Sequence, residues 1–307
     1  MLKTRNRVYT IKNLDFNIGD LPDRPEPSRV LMCTPEFFDI VDVKNPHMEG
    51  QSGKLDKLLA VAQWNNIKEE YKKLAQETVL EGYLEIHGAE GCEDMVFAAN
   101  QTFPWITEEG KKLAIMSKMR HPSRQKEIFY FETYFRGLGY EIIHLQKTDL
   151  FEGMGDAIPH FGKQLIYGGF GHRTHPVAYE EISDILQVPV VLLELTNEKF
   201  YHLDTCFLPI SEKTVLICKE AFNTEGLMLI NRLFEEVIHI PLEEAELLFS
   251  LNAHVLNLHG RKVAVIHKGS VLTKKILREH GFEVREVDTS EFIKSGGSVF
   301  CMKMMVY

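Results

Sequence analysis

Five segments of this chain carry apolar residues at a spacing near 3.6, the period of an amphipathic helix. They cover 54–77, 124–137, 176–187, 225–235 and 271–280. Their midpoints recur every ~45–65 residues, which is the interval of a repeat architecture. A short β-rich run follows each one: Val79–Ile86, Tyr140–Leu145, Val190–Leu195, Val237–Ile240 and Glu283–Val287. Gly139 and Gly281 stand at two of the helix-to-strand joints, where a glycine ends a helix without steric cost. Further β-rich runs precede the helices, among them Gln164–Phe170 and Lys199–Leu208 with Thr214–Lys219. The expected class is therefore α/β, built from a strand-strand-helix-strand unit repeated about five times, with closure into a ring as one arrangement. A doubly wound parallel sheet is the alternative. It fits less well, because no Gly-x-Gly-x-x-Gly follows a first strand and the paired strands break simple βαβ alternation.

Composition narrows the partners. Lys+Arg 35 against Asp+Glu 44 leaves a net charge of -9, opposite in sign to the basic excess of a nucleic-acid binder. No apolar run approaches the ~18 residues of a membrane span, and no apolar stretch follows the N-terminal Met-Leu-Lys-Thr-Arg-Asn-Arg as a secretory signal requires. Cysteines 33, 92, 206, 218 and 301 are odd in number and form no Cys-x-x-Cys, a pattern of free thiols in a reducing cytoplasm. Neither cysteine clusters nor a His-x-x-x-His pair offers a metal site. Residues 1–28, polar and with Pro22, Pro25 and Pro27 near their end, read as an extended arm or a short preliminary strand. A single folded domain is expected over 29–307.

Several short stretches carry candidate chemistry. In Phe200-Tyr-His-Leu-Asp-Thr-Cys-Phe207, read as a strand, His202, Asp204 and Cys206 share one face. That face is either a general acid/base histidine with an acidic neighbour or the solvated side of an edge strand. Phe151-Glu-Gly-Met-Gly-Asp156 puts Glu152 and Asp156 around a glycine-rich turn, suited to a guanidinium held by charge-assisted bonds; an ordinary solvated loop is the bland reading. Asp94 and Asn100 bracket an apolar stretch read as a strand, and Asn45 precedes a proline in an extended loop. Arg124 and Arg173 sit in loops where either clamps a carboxylate, or stands as a surface arginine. Cys301 follows Gly296-Gly297 near the chain's last residues, as an activated thiol or as a buried core cysteine.

Taken in order, Asn-Pro-His-Met (45–48), Asp-Met-Val-Phe-x-Ala-Asn (94–100), Ser-Arg-Gln (123–125), Phe-Glu-Gly-x-Gly-Asp (151–156), Gly-x-Arg (171–173), Phe-Tyr-His-Leu-Asp-Thr-Cys-Phe (200–207) and Gly-Gly-x-x-x-Cys (296–301) resemble the amidinotransferase/dimethylargininase family of guanidine-modifying enzymes. The resemblance runs from about Arg29 to Met304. It is nearest to the arginine dihydrolase domain of cyanobacterial type. It implies the pentein fold, an α/β propeller of five modules about a pseudo-fivefold axis. It implies Cys301 as nucleophile, His202 as general acid/base and Glu152 as holder of guanidinium and histidine. Asp94, Asn100 and Asn45 would line the guanidine pocket, Arg124 and Arg173 would bind the amino-acid carboxylate, and Asp156 and Asp204 would stand in or near the substrate site.

The implied reaction uses neither metal nor organic cofactor. A thiolate adds to the guanidine carbon, a histidine protonates the departing amine, and water resolves the covalent S-amidino intermediate. Deiminases of the wider group usually carry an acid where Asn100 stands. A neutral amide also tolerates a ureido product, so the resemblance favours two hydrolyses of L-arginine, to ornithine, carbon dioxide and two ammonia. Dimethylargininase, arginine deiminase giving citrulline, amidinotransferase and a non-catalytic binding pentein are the alternatives. The expected partner is a small guanidino amino acid, with homo-oligomerisation left open.

Overall fold

The structure, a computed structural model, describes residues 8–307. Helices form at all five periodic segments: Lys57–Gln76, Glu127–Gly137, Pro176–Leu186, Thr224–Leu233 and Val271–Glu279. Their ends are set locally. The Asp56 carboxylate accepts from Leu59 N and the Asn223 side chain from Gly226 N, each satisfying a donor that the first helical turn leaves open. Gly139 and Gly281 follow their helices at φ +80° and +83°, in the left-handed region. The segment 124–137 is divided, with a short turn at Pro122–Gln125 before the longer helix.

The strands are β1 (Val8–Tyr9), β2 (Arg29–Cys33), β3 (Gly82–Ile86), β4 (Thr102–Ile106), β5 (Lys112–Met116), β6 (Glu141–His144), β7 (Ala157–Pro159), β8 (Ile166–Phe170), β9 (Val190–Glu194), β10 (Phe207–Pro209), β11 (Thr214–Ile217), β12 (Glu236–His239), β13 (His254–Leu258), β14 (Arg261–His267), β15 (Glu283–Val287) and β16 (Lys303–Val306). Among the described residues they form five mixed sheets, ordered β4-β5-β6, β7-β8-β9-β1, β10-β11-β12, β13-β14-β15 and β16-β2-β3. In each, the first two strands are antiparallel and the last two parallel. A parallel neighbour needs a crossover, and in every sheet one of the five helices supplies it. The last of these sheets joins distant parts of the chain: β16 pairs with β2, from Lys303↔Met32 to Val306↔Arg29.

Burial follows the same plan. The middle strands read as near-continuous apolar runs because both of their faces are covered; Val263–Ile266 of β14 and Val215–Ile217 of β11 are fully buried. Each helix contributes one apolar stripe, such as Phe131 and Phe135 of Glu127–Gly137. A side chain of that size gains about 1.5–3 kcal/mol on burial. Among the described residues, no helix is long and apolar enough to cross a membrane.

Two expectations need correction. Residues 200–207 are not a strand: Glu198–Phe200 and Leu203–Thr205 are 3-10 turns, and β10 begins only at Phe207. Thr205 Oγ1 donates to His202 O, and Leu203 N is taken by Asp156 Oδ1, so these backbone groups are not free for a ladder. Residues 94–100 are not a strand either. They run as tight turns, with Met95 N donating to Cys92 O, Phe97 N to Asp94 O and Asn100 N to Phe97 O. Within the arm, residues 1–7 lie outside the described residues. Residues 8–28 pack on the body: β1 adds to the edge of β9, and Tyr9, Leu14, Phe16 and Leu21 are buried.

Candidate active site

Cys301 lies in the turn that leads into β16. Asn252, just before β13, fixes that turn. Its Oδ1 accepts from Ser298 N (3.1 Å) and Cys301 N (3.2 Å). Its Nδ2 donates to Asp204 O (3.1 Å) and to Cys301 Sγ (3.2 Å). Cys301 Sγ in turn donates to Asp204 Oδ2 at 3.2 Å. Gly297 has to be glycine, since a Cβ there would meet the Phe97 ring at 2.4 Å. Burial, reinforced by the Asp204 carboxyl, pushes the Cys301 thiol well above its ordinary range. Burial also raises Asp204, to about 7.

His202 caps the Leu203–Thr205 turn, and its ring is buried. Its Nε2 lies 2.7 Å from Glu152 Oε2. Glu152 also accepts from Arg173 Nη1 at 3.0 Å and from Arg120 N at 2.9 Å. Burial alone would raise Glu152, but the Arg173 guanidinium and the His202 bond outweigh it and hold the carboxyl well below the usual range. An ionised carboxylate only accepts, so His202 Nε2 carries the hydrogen and Nδ1 is bare. Burial lowers His202 to about 4 against the pull of Glu152.

The bare Nδ1 faces Asn100 Nδ2 at 3.5 Å. That amide has one possible orientation, because its Oδ1 accepts from Arg124 Nη1 at 3.1 Å and a guanidinium only donates. Arg124 is buried and engages all three of its nitrogens, with Glu127, Asp94 O and Phe97 O as its other acceptors. These bonds fasten the turns of residues 94–100 and turn Arg124 toward the Asn100 amide rather than toward a ligand carboxylate. Asp94 forms an ion pair with Lys44 Nζ at 3.0 Å and accepts from Ser295 Oγ. Asn45 accepts from His47 N and donates to Ser295 O. Arg173 Nη2 donates to Lys44 O, and its guanidinium lies over the Tyr201 ring.

The sequence candidates therefore converge. Asn45, Asp94, Asn100, Arg124, Arg173 and Cys301 line one cavity. Glu152 and His202 adjoin it through Arg173 and Asn100, and Asp204 stands behind the thiol. Asp156 is set apart, accepting from Thr174 Oγ1 and Leu203 N, so it anchors the turn that carries His202. Sequence reasoning missed Asn252, Lys44, Ser295 and Tyr201. For Lys44 and Ser295 the signal was proximity to motifs already noted; Asn252 carries no charge and no neighbouring motif. The free volume of the cavity is only ≈ 20 Å³, room for about one water. The chain's own cations, Lys44 and Arg173, occupy the carboxylates of Asp94 and Glu152.

The chain is similar to known proteins. The chain is 33% identical over 279 residues to the bifunctional arginine dihydrolase/ornithine cyclodeaminase ArgZ of Synechocystis, covering 91% of this chain but 37% of that protein. It thus spans little more than a third of that relative's length. It is 31% identical over 283 residues to the N(G),N(G)-dimethylarginine dimethylaminohydrolase of Mycobacterium tuberculosis, covering 92% of this chain and 87% of that one. The crystal structure of the product-bound N-terminal domain of ArgZ superposes with a TM-score of 0.83 at 33% identity, over 92% of this chain and 98% of that one. The model of the family described as N,N dimethylarginine dimethylhydrolase, eukaryotic, matches residues 47–307, and the chain belongs to that family.

Proposed function

We propose that this chain hydrolyses the guanidino group of L-arginine through a covalent S-amidino intermediate on Cys301, in two rounds that release ornithine, carbon dioxide and two ammonia. The carrying observation is the orientation of Asn100: a neutral amide, locked by Arg124, presents its NH₂ group to the bare nitrogen of His202. Substrate guanidinium takes the place of Lys44 on Asp94 and shares Glu152 with His202. Its positive charge lowers the Cys301 thiol, which burial holds up in the unliganded protein. The thiolate adds to the guanidine carbon, forming a C–S bond. His202 Nδ1 takes the thiol proton and passes it to the departing nitrogen, whose C–N bond breaks, and ammonia leaves. Water, losing its proton to His202, then adds to the carbon and the C–S bond breaks, giving a ureido group. In the second round the same thiolate attacks the ureido carbon and the terminal nitrogen, protonated by His202, leaves as ammonia; water then breaks the C–S bond, and the resulting carbamate of ornithine loses carbon dioxide. The fixed dipoles of Asn252 and Asn100 stabilise the tetrahedral states. Arg173 is the candidate for the amino-acid carboxylate, and Arg124 the one that holds Asn100.

The finer architecture in this reading is a pentein propeller, five modules about a pseudo-fivefold axis. Its support is the repetition of one strand order in five sheets and the pairing of β16 with β2. Five free, buried cysteines support a cytoplasmic setting.

A second reading is a dimethylargininase, favoured by the family description and by the M. tuberculosis relative. One experiment separates the two. Purified protein is incubated with L-arginine or with N,N-dimethylated arginine, without added metal, and amino acids and amines are quantified. Ornithine with two ammonia per arginine is the expected result. Dimethylamine and citrulline from the methylated substrate, with arginine inert, would replace the first reading by the second.

A further inference from the structure

A second cavity, sharing no lining residue with the first, lies beside β16, the strand that follows Cys301. Its free volume is ≈ 90 Å³, room for several waters or one small organic molecule. The walls are mostly apolar, with Phe161, Phe207, Leu208, Leu256 and Phe300 among them. Lys303 also lines it and is almost wholly buried. Among the described residues no carboxylate oxygen lies within 4.0 Å of its ammonium, which rests 3.3 Å from the centre of the Phe300 ring.

An ammonium withdrawn from water without a counter-ion is costly, and an aromatic face offsets only part of that. Burial accordingly pushes Lys303 down to about 7, although Asp204 and Cys301 draw it up. The other charged groups around this cavity are spoken for. Arg24 donates to Tyr307 Oη, to Glu26 and to His160 O. Glu26 is taken by Arg24 and Gly162 N. His254 is bonded through Nδ1 to Tyr71 Oη and is held neutral by burial. One ammonium with no carboxylate in contact, in an apolar cavity of this size, defines its complement: a single negative charge on a small apolar body.

We propose that this cavity is a binding site for a small monocarboxylate with a short aliphatic or aromatic body, its carboxylate on Lys303 Nζ. The proposal does not depend on the reaction assigned to Cys301. Calorimetric titration of the full chain with benzoate, benzamide and inorganic phosphate tests it. Benzoate should bind, while benzamide, of the same shape and without the charge, should bind at least ~10-fold more weakly. Phosphate, with no apolar body, should not displace benzoate. Lys303→Met should lose benzoate binding, and so should Leu208→Trp, which fills the cavity from β10 and leaves the lysine in place. The comparison of benzoate with benzamide needs no variant, so it decides the matter even if Lys303→Met does not fold. Absence of benzoate binding, equal affinity for the amide, displacement by phosphate, or benzoate binding retained in either folded variant would each overturn the proposal.

Discussion

At the scale of single residues, the site holds its groups in states that do not react without a ligand. Cys301 is a thiol because burial and the neighbouring Asp204 disfavour a second negative charge. His202 is neutral through the physiological range, since its folded value lies near 4. Alkylation requires thiolate, whose fraction rises with pH until the thiol's own pKa is passed. The rate of Cys301 alkylation by iodoacetamide should therefore keep climbing through pH 9 instead of levelling near the ordinary thiol value. A cationic amidine bound beside the thiol should move that climb to lower pH. A plateau below pH 8 in the free protein would contradict the account. Asn100→Asp is the second test at this scale. A carboxylate at this position accepts from Arg124 and cannot donate to His202 Nδ1, so the histidine's second nitrogen gains a negative neighbour that favours protonation. The expected outcome is a protein that converts arginine to citrulline and stops, read by amino-acid analysis. Continued ornithine release would remove Asn100 from its assigned role.

At the scale of elements, the positions of the glycines show what the sequence could and could not reveal. The Gly153–Asp156 turn brings Glu152 and His202 together because Gly155 leaves room for both Asn100 and the imidazole. A Cβ on Gly155 would lie 2.3 Å from Asn100 Nδ2 and 3.2 Å from the His202 ring. Gly155→Ala should thus displace the amide and cut turnover at least ~100-fold, with a stability loss of about 1–3 kcal/mol from overpacking. Steady-state rates and denaturant midpoints check the two parts separately; unchanged turnover would show that the packing is slack. The helices were legible because each pays its way locally, through caps and an apolar stripe that the chain itself spells out. The turns of the candidate site were not. Residues 94–100 hold a short apolar run and residues 200–207 are β-rich, and each reads as strand when taken alone. Their turn conformation depends on Arg124, which bonds Asp94 O and Phe97 O, and on Asp156, which takes Leu203 N. Those partners lie 27 to 47 residues away in the chain, so no local window contains them.

For the whole molecule, the decisive contact is the one between β2 and β16. β16 adds to β2 across nearly the whole chain, and Cys301 sits just before β16, so that pairing helps to hold Cys301 in place. A chain whose strands β2 and β16 share one sheet should unfold as one unit, because releasing either strand opens that sheet and two clusters together. The two tryptophans offer a direct test. Trp105 on β4 belongs to the same buried cluster as Met304, and Trp64 on the Lys57–Gln76 helix belongs to another. Replacing one or the other by phenylalanine leaves a single reporter in each cluster. Met304→Ala, which empties a fully buried position on β16, should cost about 2–5 kcal/mol. That loss should appear as the same shift in denaturant midpoint at both reporters. If Trp64 kept its midpoint while Trp105 lost its own, the sheets would be folding as separate units. The strand pairing would then be a late addition, not a closure that helps to hold Cys301 in place.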